Sequence, residues 1–252
     1  RETLKIMADR GIRYTVLAPH QARRVRHVGF GSRWKYVHHE GIDPRHPYRI
    51  ILENGRQFHI FFYDAHVSRA IAFQGLLNNG DQLVQRLLGE FSNRDREQLV
   101  ATATDGESFG HHHRYGEMAI AWAIKRIREQ KPARLTNYAE FLDRAGSYWE
   151  TDIYENSSWS CAHGVERWRS DCGCRINHQE GWNQRWRSYL RDAFDFLKDI
   201  TDDVYQTSCG KLLKDPWEAR NAYIEVLLKP DEETRRAFLA RIDLAVNRSE
   251  ER

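Results

Sequence analysis

The sequence predicts an α/β fold over residues 1–145, followed over residues 146–252 by an aromatic- and Cys-rich loop and a helical region. Three observations carry this expectation. Up to Arg144, short β-rich runs alternate with amphipathic helical stretches, the pattern of a sheet with helical crossovers. Residues 147–181 then lose any apolar period and are rich in Trp, Ser, Cys and Gly, and from Trp182 long amphipathic helices take over. With 40% hydrophobic and 30% charged residues among 252, the chain can bury a core. No apolar run approaches the ~20 residues that a bilayer crossing needs.

Residues 2–10 set Leu4, Ile6, Met7 and Ala8 among charges and stop at Gly11, which reads as a helix and a tight turn. A β-rich run over 12–17 follows, then the loop Ala18-Pro19-His20. Residues 48–52 and 58–63 flank Glu53-Asn54-Gly55. An Asn-Gly step between apolar runs is a strong hairpin signal because both central residues tolerate positive φ, and this hairpin is expected to be an excursion from the main sheet. Helices are expected over 67–77 and 81–91, and a buried strand over 98–104 that ends in Asp105-Gly106. A helix over 115–130, a short strand over 133–136 and a helix over 138–144 complete the first half. Helices then run from 182 to 228, and Asp231 is placed to cap a last one extending to about residue 246.

The charge balance narrows the function classes. A net charge of +3, with twelve His scattered among acids, gathers no basic stretch, so neither nucleic acid nor an anionic membrane is expected as a partner. Four Cys are too few for a disulfide-stapled scaffold, which points to reduced thiols and a cytoplasmic setting. The chain opens at Arg1-Glu2-Thr3-Leu4-Lys5 inside a helix, without Met, and reads as a piece of a longer protein.

The sharpest local feature is the run from Thr102 through Asp105-Gly106-Glu107 to His111-His112-His113. An acidic residue at the carboxyl end of a strand, followed by Gly, is where α/β barrels place catalytic groups. It is equally the place for an Asx turn. Three adjacent His do not converge on one ion unless the loop folds back, so solvated or sugar-facing rings are expected there. Cys161, His163, Cys172, Cys174 and His178 form a second candidate ligand set. The Cys172-Gly173-Cys174 pair lacks the usual zinc spacer, so small buried thiols are the expectation and neither a metal nor a cofactor is anticipated. Five Trp crowd residues 149–186. Trp182 and Trp186, at i,i+4 spacing, read as packing residues, whereas Trp159 and Trp168 in the aperiodic loop suit either a sugar-binding face or a core. Asp64 and Arg69, just after a strand, are open between a cleft-lining and a structural ion pair.

The run Thr104-Asp-Gly-Glu-Ser-Phe-Gly-His111 resembles the fourth sequence motif of glycoside hydrolase family 57. Two more segments are similar to the subset of that family that is followed by a helical domain of unknown function. One is Phe61-Phe62-Tyr63-Asp64 with Ser68-Arg69-Ala-Ile-Ala-Phe73. The other runs from Ser157 through Trp159, Cys161, His163, Glu166 and Trp168 to Cys174. The resemblance implies the carboxyl-terminal part of a distorted (β/α)7 barrel followed by an α-helical region. It also implies a retaining mechanism on α-glucans, hydrolytic or transferring, with Asp105 as general acid/base. The family's nucleophile is a Glu on its third motif. That motif has no counterpart here, and the nucleophile is expected upstream of Arg1, leaving the isolated chain inactive. Expected sugar contacts are Glu107, His111, His112, Trp159, His163, Glu166 and Trp168. His112 stands where the family commonly has Trp, which replaces a stacking surface with a polar ring. A metal-dependent carbohydrate deacetylase and a non-catalytic carbohydrate-binding module are the alternatives.

Overall fold

The computed structural model describes residues 1–37, 41–93, 96–175, 177 and 179–242. The chain divides into two compact units, Arg1–Val165 and Glu166–Arg252. Among the described residues, no helix is long and apolar enough to cross a membrane.

The first unit is built on one six-stranded mixed sheet. Its strands are β1 (Tyr14–Leu17), β2 (Ala22–His27), β3 (Lys35–Tyr36), β4 (Tyr48–Ile51), β5 (Gln57–Phe62) and β6 (Trp149–Ile153). Their order is β1-β5-β4-β6-β2-β3. β1 runs parallel to β5 and β4 parallel to β6, and the remaining pairs are antiparallel. The β4–β5 pair is the expected Asn-Gly hairpin, with Gly55 at φ +78. It is not an excursion, however: it sits in the interior of the sheet order, because both of its outer edges find partners in β1 and β6.

Among the described residues of this unit, α1 (Glu2–Asp9) precedes β1, and α2 (Ala65–Phe73), α3 (Gly80–Gly89), α4 (Gly116–Gln130) and α5 (Tyr138–Ala145) lie between β5 and β6. Alternation along β5 divides the packing. Phe58, Ile60 and Phe62 bury one face with Tyr48, Ile50 and the α1 residues Leu4 and Ala8. Phe61 turns to the other face and packs with Leu99, Phe141 and Leu142. α2, α3 and α4 form their own cluster through Val67, Ile71, Leu83, Val84, Ala119 and Ala123. Residues 98–104 belong to no regular ladder. Backbone bonds tie the segment at two points, from Leu99 N–H to Arg45 O (2.8 Å) and from Asp64 N–H to Ala101 O (2.8 Å). Residues 133–136 form no strand either, for Lys131 ends α4 in the left-handed region at φ +52 and the chain runs irregularly to the Asn137 cap of α5.

β2, β3 and β6 carry few apolar residues, and no hydrophobic pattern marks them in the sequence. Salt bridges tie β2 to β6. Glu150 lies opposite Arg26 and Asp152 opposite Arg24. Glu150 Oε2 accepts from Arg26 Nε at 2.6 Å and its Oε1 from Arg49 Nη2 at 3.0 Å. Asp152 accepts from Arg1 Nη2 at 2.7 Å and from Arg24 Nε at 3.1 Å. Trp34 stacks beneath both Arg24 and Arg26, its ring centre 4.6 Å and 4.5 Å from the two guanidinium carbons. Burial opposes ionisation of both acids, but the hydrogen bonds from these arginines outweigh it and hold Glu150 and Asp152 below their ordinary pKa values.

The second unit is helical. It contains α6 (Glu166–Arg169), α7 (Trp186–Cys209), α8 (Pro216–Ala222), α9 (Ile224–Leu228) and α10 (Glu232–Arg241). α8 is capped by Asp215 and docks to α7 through Tyr205, whose hydroxyl donates to Pro216 O at 2.8 Å and whose ring meets Trp217. Asp231 caps α10 as expected, accepting from Thr234 N–H at 2.8 Å. The expected extension of that helix to residue 246 lies outside the described residues. Trp182 lies before α7, which begins only at Trp186, so the two share no helix face; they are 63% and 57% exposed rather than packed.

Candidate active-site loop

The Asp105 loop is assembled from supports on three sides. Ser68, in the first turn of α2, donates its hydroxyl to Asp64 O at 2.6 Å and accepts from Ala103 N–H at 3.0 Å, so α2 tethers the segment that leads to Asp105. Asp64 itself is the N-cap of α2, accepting from Val67 N–H at 2.8 Å. Beyond Asp105 the chain makes a single 3₁₀ turn over Gly106–Ser108, closed by Ser108 N–H to Asp105 O and by a 2.9 Å hydroxyl pair between Thr104 and Ser108. Phe109 packs against the α2–α3–α4 cluster, and His113 binds the Ala72 carbonyl through Nε2 at 2.8 Å. Gly116, the first residue of α4, is closely packed, for a Cβ would stand 3.0 Å from Ser108 O and from Leu77 Cδ1.

The result is a rigid base with a solvated rim. Ser108 is buried, whereas Asp105, Glu107, His111 and His112 are all exposed. The Asp105 side chain does not cap its own turn, and among the described residues it has no hydrogen-bond or ion-pair partner. No Asx turn forms here; the carboxylate is presented outward, available to a ligand. His112 N–H donates to Glu107 O at 2.8 Å, and the His111 and His112 rings lie 4.9 Å apart. The structure therefore brings four of the expected site residues, Asp105, Glu107, His111 and His112, onto one loop.

The remaining candidates lie elsewhere in the chain. Trp159 is exposed on a separate loop, which is fixed by His20 Nε2 against Ser158 O at 2.8 Å and by Gln21 Nε2 donating to Ser157 Oγ at 3.0 Å. His163 lies in the same loop, its Nδ1 3.6 Å from Cys161 Sγ. In the second unit, Glu166 is engaged by Arg169, whose hydrogen bond and that of Ser170 hold its carboxylate below the usual range. Trp168 is exposed. His178 lies outside the described residues. The supports Ser68 and His113 carry no mark in the sequence, because their partners are backbone atoms 35 and 41 residues away.

A cavity of about 910 Å³ in the first unit is lined by His27, His46, Gln98, Arg144, Tyr148 and Trp149, among others. It opens at the start of the 98–104 segment. Asp105 is not among its lining residues. The exposed loop, and not this cavity, carries the candidate chemistry. Among the described residues, the Asp105–His113 run brings no three metal-ligating side chains together; the one such group is Cys161, His163, Cys172 and Cys174.

A mixed α/β unit that presents an outward carboxylate on a Gly-containing loop, followed by a helical unit, is compatible with the place where α/β barrels set catalytic groups. The comparisons identify the family: residues 1–153 match glycosyl hydrolase family 57, and the chain belongs to it. Residues 182–252 match a domain of unknown function, DUF3536. Among solved structures, the chain is similar to an exo-type maltose-forming amylase from Pyrococcus sp. ST04, with a TM-score of 0.59 and 16% identity. The likeness covers 91% of this chain and 40% of that one, so this chain spans about two fifths of its length. No curated protein matches the chain. The fold is thus that of part of a (β/α)7 barrel followed by a helical region.

Proposed function

We propose that the chain is part of a retaining α-glucan hydrolase or glucanotransferase in which Asp105 is the general acid/base. The observation that carries this is the unpartnered, exposed carboxylate of Asp105 on a loop anchored at Ser68, Phe109 and His113, inside the segment that matches family 57. Membership of that family and the likeness to a maltose-forming amylase support a glucan as substrate.

In a retaining mechanism two carboxyl groups stand about 5–5.5 Å apart across the scissile bond. One attacks the anomeric carbon. The other, here Asp105, protonates the departing glycosidic oxygen and then takes a proton from the incoming water or acceptor hydroxyl. The nucleophilic Glu is assigned to a segment outside these 252 residues, so the 252-residue chain alone is expected to be inactive. Glu107 and the imidazoles of His111 and His112 border the carboxylate on the same loop and would hydrogen-bond sugar hydroxyls. Trp159, His163, Glu166 and Trp168 belong to the same proposal as outer contacts. Hydrolysis and transfer differ only in which acceptor Asp105 deprotonates. A reducing, cytoplasmic setting is part of the proposal and rests on the thiol form of all four cysteines.

The test is α-glucan product analysis on a chain extended to the complete barrel, with and without Asp105→Asn. Loss of a positioned acid/base is expected to lower turnover by about 10²–10⁴-fold. An extended parent that is active while the variant keeps full activity would overturn the assignment of Asp105. An inactive parent that binds glucan would favour a non-catalytic module.

A further inference from the structure

The stretch of chain from Cys161 to Cys174 holds three thiols that the proposed glucan chemistry does not use, beside an imidazole that it places only among the outer contacts. We propose that Cys161, His163, Cys172 and Cys174 are the four ligands of a structural zinc ion.

The geometry supports this directly. One ligand atom from each residue lies within 4.8 Å of all the others, and none of the cysteines is in a disulfide. Tetrahedral zinc, with Zn–S near 2.3 Å and Zn–N near 2.0–2.1 Å, sets ligand atoms about 3.8 Å apart for two sulfurs and about 3.6 Å for sulfur and nitrogen. Cys161 Sγ and His163 Nδ1 are 3.6 Å apart, already at that spacing. The widest separation needs to close by only about 1 Å to reach the sulfur–sulfur edge.

The backbone is shaped for two short ligand-bearing turns. In the first, Gly164 N–H closes onto Cys161 O, and the Ser158 hydroxyl lies 3.3 Å and 3.2 Å from the carbonyls of Cys161 and Gly164. Gly164 adopts φ +66, and a Cβ there would collide with Asn156 O. In the second, Gly173 at φ +81 lets Cys172 and Cys174 turn their thiols to one side despite a single-residue spacer. This is why the departure from the usual Cys-x2-Cys spacing does not prevent convergence. The sulfurs also have donors suited to thiolates. His163 N–H reaches Cys161 Sγ at 3.3 Å, and Arg187 Nη1 lies 4.0 Å from Cys172 Sγ. Three thiolates and a neutral imidazole around Zn²⁺ leave one net negative charge, which Arg187 offsets.

The segment also needs such a staple. Among the described residues of 166–181 none is buried, so there is no apolar core to hold an aperiodic stretch of this length in one conformation. Three sulfurs and one nitrogen form a closed Cys₃His set without an open position, which assigns the ion to structure and leaves the glucan chemistry to Asp105.

The experiment is metal analysis of the reduced 252-residue chain together with Co²⁺ substitution. The expected result is about one zinc per chain, and on replacement by Co²⁺ a thiolate-to-metal charge-transfer band with tetrahedral d–d absorption. Cys209→Ser, outside the cluster, should keep both signals. Cys172→Ser and Cys174→Ser should lose stoichiometric zinc and weaken the charge-transfer band. Should those variants fail to fold, His163→Cys provides the second arm: it should retain the metal and strengthen the charge-transfer band. The proposal is overturned if the wild-type chain takes up neither zinc nor Co²⁺. It is equally overturned by an octahedral Co²⁺ spectrum. None of these readouts depends on glucan turnover.

Discussion

Glu150→Ala tests how the polar strands of the sheet are held. Glu150 is 7% exposed and sits on β6 between Arg26 of β2 and Arg49 of β4, so one carboxylate cross-links three strands. Its two arginines have side-chain exposures of 37% and 21%, so water partly re-solvates them once the acid is gone. Taking the low end for a charge-assisted hydrogen bond, about 1.5 kcal/mol for each arginine, the loss is about 3 kcal/mol. The assay is amide hydrogen exchange of β4 and β6 under conditions where it reports the opening equilibrium. A loss of that size corresponds to exchange on the order of 100-fold faster. Arg49→Ala alone and the double variant complete a cycle whose coupling should be about 1.5 kcal/mol. A coupling below about 0.5 kcal/mol would refute the reasoning, because it would place this pair with ordinary surface ion pairs.

Three further outcomes are expected. Because the folded-state pKa values of Glu150 and Asp152 are depressed, their contribution to stability is fully present above the ordinary values of 4.5 and 3.8 and is lost as pH falls through the depressed folded values. Urea midpoints measured from pH 6 down to pH 2 should therefore drop below about pH 4, and Glu150→Ala should flatten that drop. Phe58→Ala, at a side chain with 0% exposure between α1 and the sheet, should cost roughly 3–5 kcal/mol in urea unfolding; a cost below about 1 kcal/mol would contradict the packing described. Ser68→Ala removes the acceptor for Ala103 N–H and frees the approach to Asp105. In the extended, active chain it should lower kcat by about 10- to 100-fold with little change in KM, and an unchanged kcat would show that the tether does not position the carboxylate.

The parts of the fold that show in the sequence are those whose information is local and apolar. The Asn-Gly hairpin, α1, α3, α4 and α5 follow from periodicity and punctuation, and the Asp231 cap from one side chain and its third neighbour. β2 and β6 do not show because their alternation is written in Arg, Glu and Asp. Those residues read as solvated until Arg26 is seen opposite Glu150, more than a hundred residues away. The hairpin's interior place is hidden for a related reason, since only β6 shows that the outer edge of β4 is covered. The 98–104 segment reads as a strand, yet it makes isolated bonds to Arg45 and Asp64 and no ladder. Trp182 and Trp186 have helical spacing, but the helix starts only at Trp186, so spacing alone does not give them a common face; both are exposed. At the candidate site, Asp105, Glu107, His111 and His112 come together because they are neighbours in sequence. Spacing alone argues against the Cys161–Cys174 convergence, because positive φ at Gly164 and Gly173 is a property of the folded loop.

Chemical rescue tests most directly whether Asp105 acts as acid/base and not as nucleophile. In the extended chain, Asp105→Ala would be assayed with azide and an α-glucoside bearing an activated leaving group, which needs no proton to depart. If Asp105 is the acid/base, the missing base matters only in the second half-reaction. Azide, which needs no deprotonation, should then restore turnover and yield a glycosyl azide of retained configuration. A glycosyl azide of inverted configuration would mark Asp105 as the nucleophile and contradict the account, as would wild-type turnover in the variant without azide.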